Sequence, residues 1–153
     1  MIGNDLVDLR EAAQQSNWRR PGYLGKVFTL TEQQEILNAE NPDKLVWLFW
    51  SMKEAAYKIH SRITGKRSFA PALLDCTLQC VDKMEARGVV SVDQQIYHTF
   101  SSLLPDYIHT VAAQSQERLP TIRIEIHDQP LVNYRLRNPE CVSHHGRYLA
   151  LVF

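Results

Sequence analysis

Apolar positions along this chain change period once, and the change divides it into two halves. Between Leu45 and Ile63 the apolar residues Leu45, Leu48, Phe49, Met52, Ala56, Ile59 and Ile63 recur every three or four places, the spacing of one buried helix stripe. Asn41-Pro42 supplies an N-cap and a favoured first helical residue, and Gly65 supplies a stop, so the pattern predicts a long central helix between them. Ahead of it, Ile2–Val7 reads as a short strand. Asp8 and Glu11 read as the N-cap and return partner of a helix running to about Asn17, and Thr31 with Gln34 as the capping box of a short helix ending near Asn38. Trp18–Gly25, with Pro21 and two glycines, reads as a loop. From Phe69 onward the period becomes alternating. Leu74–Val81, Val89–Ile96, Tyr107–Gln114, Thr121–His127, Leu131–Leu136 and Arg147–Phe153 each predict a strand. The short links Arg87-Gly88 and Asp128-Gln129-Pro130 suit antiparallel turns rather than helical crossovers. The predicted class is α+β: a mainly antiparallel sheet packed against a long central helix and shorter helices.

Composition narrows this picture without changing it. A chain of 153 residues suits a single domain spanning 1–153, able to bury about two thirds of its unfolded surface. Seventeen Lys and Arg against 17 Asp and Glu leave no excess for general nucleic-acid binding, so any anion site must be local. No apolar run approaches the roughly 20 residues needed to span a bilayer, and the opening Met-Ile-Gly-Asn-Asp lacks the basic start and apolar middle of a signal peptide. These features predict a cytoplasmic protein with neither nucleic acid nor membrane as a partner. Cys76, Cys80 and Cys141 form no CxxC pair and read as free thiols. His144-His145 reads as a surface loop rather than a metal site, and His98 and His109 as packing or solvent residues.

Two carboxylates carry the candidate chemistry. At roughly 100° per residue, Glu54 falls almost opposite the apolar stripe, between Trp47 and Trp50 and one turn before Lys58. The plain reading of Glu54 and Lys58 is an i,i+4 pair on a solvated face, contributing about 0.3 kcal/mol. Tryptophans on that face argue for cover instead, with the carboxylate neutralised by its lysine or by a bound cation. Asp5 interrupts an apolar strand end, where a charge is costly without a partner.

The run Trp50-Ser-Met-Lys53-Glu54-Ala55-Ala-Tyr-Lys58 resembles the W-x-x-K-E-A-x-x-K signature of 4′-phosphopantetheinyl transferases, and Gly3-Asn4-Asp5-Leu6-Val7-Asp8-Leu9 resembles the G-x-D-[ILV]-V-[ED]-[ILV] opening of the same family. Lys26-Val-Phe-Thr29-Leu-Thr-Glu32 is similar to its short basic-apolar-Phe-Thr-x-x-Glu segment. The resemblance implies transfer of the 4′-phosphopantetheine arm of coenzyme A to a serine of an acyl or peptidyl carrier protein, in fatty-acid synthesis or another pathway. Asp5 and Glu54 would be magnesium ligands and Glu54 and Lys58 catalytic. Lys58, Lys53, Lys26 and Arg20 would contact the cofactor, with Arg19, Lys66 and Arg67 further candidates for a 3′-phosphate or an acidic carrier surface. The serine proton would go to a metal-bound water or to Glu54.

One copy of each motif matches the family's short type, which implies a homo-oligomer, with a trimer favoured. The Ser-His pair that family members often carry before a late strand is not matched in Thr99–Ala112, where the strand fits but no histidine follows Ser101 or Ser102, and the run 130–153 matches nothing in the family pattern. A non-catalytic relative that binds a carrier protein or nucleotide is the alternative. A different magnesium phosphotransferase is disfavoured because no glycine-rich phosphate loop occurs.

Overall fold

Strand β1 (Ile2–Asp8) is buried along all seven of its residues, because it is covered from two sides. The computed structural model describes residues 1–129 and 133–153. After β1 come three short helices, α1 (Leu9–Gln15), α2 (Tyr23–Val27) and α3 (Leu30–Asn38), then the 23-residue α4 (Pro42–Thr64). Five strands form one antiparallel sheet: β1, β2 (Asp75–Val81), β3 (Glu85–Val92), β4 (Gln95–Leu103) and β5 (Tyr107–Ala113), in the order β1-β5-β4-β3-β2. A second sheet, ordered β6-β8-β7, is built from β6 (Ile124–His127), β7 (Cys141–His145) and β8 (Tyr148–Val152). The α+β class and the long helix are as the sequence predicts.

Helix α4 packs on β1 and β5 through Val46, Phe49, Met52, Ala56 and Ile59, none more than 1% exposed. The helix starts where Asn41 accepts a hydrogen bond from Lys44 N at 3.1 Å, and it ends at Gly65, whose φ of 71° is left-handed. Ile63, expected in the stripe, is 43% exposed, since it lies in the final turn past the last buried residues Ile59 and His60. Gly3 fixes how closely strand and helix approach: a Cβ there would overlap the carbonyl oxygen of Ala55. Opposite α4, β7 and β8 pack on β1, burying Ile2 with Val111, Cys141 and Val152, and Leu6 with Tyr148 and Ala150.

Several local expectations change in the folded chain. The predicted strand Val89–Ile96 crosses a hairpin, because Asp93 and Gln94 both adopt positive φ (48° and 64°) and pair Val92 with Gln95. Arg87-Gly88 is not a turn but lies inside β3, opposite a bulge between Leu78 and Cys80. The capping box of α3 is Thr29 with Glu32, two residues earlier than Thr31 and Gln34. Helix α1 ends at Gln15 rather than near Asn17. The strand expected from Thr121 begins at Ile124, because Gln116–Thr121 forms a 3-10 turn containing Pro120. Part of the expected strand Leu131–Leu136, and Pro130 of the expected link, lie outside the described residues; Tyr134–Arg137 is a 3-10 turn, not a strand. The expected loop at His144-His145 is the end of β7.

Candidate active site

A cleft of about 600 Å³ opens where β1, α4 and β7 converge, and Asp5, Trp47, Trp50, Glu54 and Lys58 all line it. The strand end and helix middle, about 50 residues apart in sequence, therefore meet. Asp5 is 8% exposed, its Oδ1 lying 3.8 Å from Lys58 Nζ and accepting a 3.4 Å hydrogen bond from Ser143 Oγ. Its Oδ2 is a buried oxygen that meets no donor at hydrogen-bond distance among the described residues, although the Ser51 hydroxyl, likewise buried and unpartnered, is near enough to favour the carboxylate. Burial raises the Asp5 pKa against the opposing charge of Lys58. Glu54, half-buried, is pushed up to about 7, first by burial and then by the negative charge of Asp5, which Lys58 offsets only in part.

Lys58 is not free to neutralise both carboxylates. Its Nζ donates to the Asn4 carbonyl oxygen at 2.6 Å. That contact belongs to a series along the outer edge of β1, where alternate backbone groups face away from β5. Arg62 donates to Ile2 O at 2.8 Å, Lys58 to Asn4 O, Leu6 N to Ser143 Oγ at 3.1 Å, and Asp8 N to His145 Nδ1 at 2.9 Å. Side chains of α4 and β7 thus close the edge that a neighbouring strand would otherwise take, and in doing so they bring Lys58, Ser143 and His145 to Asp5.

Asp8 caps α1 as the sequence predicts, accepting from Arg10 N and Glu11 N. The return bond to Asp8 N comes from His145 rather than Glu11, whose carboxylate bonds Gln15. Arg147 grips the Asp8 carboxylate through its backbone N at 3.0 Å and its Nε at 3.1 Å. Although burial alone would raise it, the Asp8 pKa falls to about 2 through those bonds. Gly146 makes this turn with φ 53°, and a Cβ there would strike Asp8.

The other candidates are placed elsewhere. Lys53 is fully buried away from the cleft, its Nζ 2.6 Å from Glu32 Oε2 and donating to Val27 O at 3.0 Å and Pro71 O at 2.8 Å. All three of its protons are used, so the expected cofactor contact is replaced by a structural one. Arg20 and Lys26 are exposed beside Tyr23 and Val27, two residues that line the cleft. Arg19 is paired with Asp43 at 2.9 Å and Lys66 with Asp93 at 2.9 Å, while Arg67 is exposed.

Sequence reasoning missed Ser143, His145 and Arg147. The signal was present as alternation: Cys141, Ser143 and His145 are two residues apart on one face of β7, and each meets β1 or its partner Arg62.

The cleft suits a hard divalent cation. It offers carboxylate oxygens, one of them unpartnered, around too little positive charge. Among the described residues no cluster of three or more His, Cys, Asp or Glu could hold a metal. Two carboxylates with room for substrate oxygens and water is the arrangement typical of magnesium rather than of a closed protein cage. Among the described residues, no helix is long and apolar enough to cross a membrane.

The pattern of the 4′-phosphopantetheinyl transferase superfamily matches residues 1–112, and the chain belongs to that superfamily. Among solved structures, the holo-[acyl-carrier-protein] synthase of Thermotoga maritima is similar in fold, with a TM-score of 0.53 over 98% of this chain and 81% of that one at 12% identity. No curated protein matches the chain. The second sheet, with Ser143 and His145, lies beyond the matched residues.

Proposed function

We propose that this chain moves the 4′-phosphopantetheine group of coenzyme A onto a serine of an acyl or peptidyl carrier protein, releasing adenosine 3′,5′-bisphosphate. Asp5 and Glu54 hold a magnesium ion. The observation that carries the reading is the under-neutralised pair itself: a buried Asp5 oxygen without a partner beside a Glu54 whose pKa is raised to about 7. A folded protein keeps such a pair when something absent from the chain completes it.

The reaction displaces a pyrophosphate oxygen at phosphorus, so the protein's work is to place reactants and balance negative charge. Bound magnesium supplies that charge balance on the pyrophosphate. Lys58, anchored on Asn4 O, presents its remaining protons to the cleft as a fixed point charge. Trp47 and Trp50 wall the site. The carrier serine gives its proton to Glu54 or to a water in the cleft. Arg20 and Lys26, exposed beside the cleft, suit the 3′-phosphate of coenzyme A or an acidic carrier surface. The same reading takes residues 1–153 as one domain and expects a homotrimer, for which Val81 and Ile96, each more than half exposed on the sheet, offer apolar surface.

The test is incubation with coenzyme A, magnesium and a panel of apo carrier proteins, read as carrier mass. One added phosphopantetheine, lost on chelation and reduced about a thousandfold or more in Asp5→Ala and Glu54→Ala, is the expected result. Coenzyme A binding without transfer to any carrier would favour the non-catalytic alternative.

A further inference from the structure

Resting on the transferase reading, we propose that His145 is a cofactor-binding residue that donates a hydrogen bond through Nε2 to a pyrophosphate oxygen of coenzyme A. The C-terminal hairpin β7–β8 would then build part of the site in the same chain.

The tautomer carries the argument. His145 lines the cleft with Asp5, Glu54 and Lys58, and its Nδ1 accepts the backbone N–H of Asp8 at 2.9 Å. A neutral imidazole has one bare nitrogen, and here that nitrogen is committed to β1. The ring proton therefore sits on Nε2, which no described residue bonds. His145 can offer the cleft only an N–H. It does not serve as a base for the serine, because taking a proton at Nδ1 would break the bond to Asp8. A donor, by contrast, fits what the cleft lacks. Two carboxylates face it, Lys58 has spent one proton on Asn4 O, and an incoming phosphate needs further donors.

The ring is also held in place. Arg147 bonds Asp8 through its backbone and guanidinium, and Gly146 makes the tight turn between the two grips. Both hairpin contacts end on the strand that carries Asp5, so cofactor donor and cation ligand are set by one element.

Two substitutions separate binding from scaffolding. His145→Asn keeps an acceptor near Asp8 N but removes the reach into the cleft; His145→Gln keeps an amide N–H at about the reach of Nε2 but loses the near acceptor. Coenzyme A binding is measured by calorimetry, and melting temperature on the same samples. The proposal expects His145→Asn to weaken coenzyme A binding about tenfold with an unchanged melting temperature, and His145→Gln to bind within about threefold of the parent while melting lower. If His145→Asn binds as the parent does, whether or not His145→Gln is impaired, His145 only props the hairpin and the proposal is overturned. If the parent modifies carriers while neither variant changes coenzyme A binding, this inference alone fails. If the parent neither binds coenzyme A nor modifies any carrier, the transferase reading fails and takes this one with it.

Discussion

Lys53 and Lys58 lie five residues apart on helix α4, and their surroundings differ in kind. Lys53 is closed in: Glu32 sits at 2.6 Å, two backbone oxygens accept the remaining protons, and Glu32 also takes Thr29 N at 2.9 Å and Cys76 N at 2.7 Å. Every charge and donor there is satisfied within the chain. Lys58 faces two carboxylates and meets neither closely. It lies 3.8 Å from Asp5 and spends its best bond on a backbone oxygen. Asp5 keeps an unpartnered oxygen, and Glu54 is pushed up to about 7. The first cluster ties α2, α3, α4 and β2 together and needs nothing further. In the second, the chain itself supplies too little positive charge, and stability is given up at the place where the proposed cation binds.

The largest way to test the contrast is to remove each lysine. Lys53→Met leaves Glu32 buried and uncompensated, and should cost about 3–5 kcal/mol in urea unfolding. Lys58→Met should cost less than about 1 kcal/mol, since its carboxylate contact is long and partly wet. The same change should slow carrier modification about a hundredfold. Equal losses of stability in the two variants would erase the distinction.

A smaller effect lies in pH. Glu54 rises from 4.5 to about 7, and Asp5 moves in the same direction, so the native state holds more protons than the unfolded chain across that window. Stability of the cation-free protein should therefore fall as pH rises from about 4.5 to 7, and Glu54→Gln should flatten the slope. Magnesium competes with those protons, so the rise in melting temperature it gives should be small at pH 5 and larger at pH 8. Asp8, lowered to about 2, acts in the opposite sense: its contribution is present above 3.8 and fades as pH falls toward 2.

Legibility in the sequence followed sequence separation. Helix α4 and its caps could be read because each signal spans a few residues, and helix geometry alone set Glu54 opposite the apolar stripe. That Asp5 would reach Glu54 came from paired motifs, and Gly3 supplies the physical reason in the close approach of β1 to Ala55. The partners of Lys53 were not legible, since Glu32 lies 21 positions earlier and nothing in its local pattern indicates burial. The hairpin at Asp93-Gln94 lacks the glycine that usually announces such a turn, so β3 and β4 ran together. Ser143 and His145 act on β1 from 137 positions away, through side chains that close a strand edge. No local propensity encodes that arrangement, although the alternation along β7 does.

If Asp5 and Glu54 form a cation cradle at a cost in stability, Asp5→Asn should expose both the cost and the cation. Melting temperature would be followed for parent and variant as magnesium is titrated at pH 8. The account predicts that the variant melts higher than the parent without cation, because a buried carboxylate with a raised pKa has been replaced by a neutral group, and that magnesium stabilises only the parent. A variant that melts lower without cation, or a parent that magnesium leaves unmoved, would contradict it.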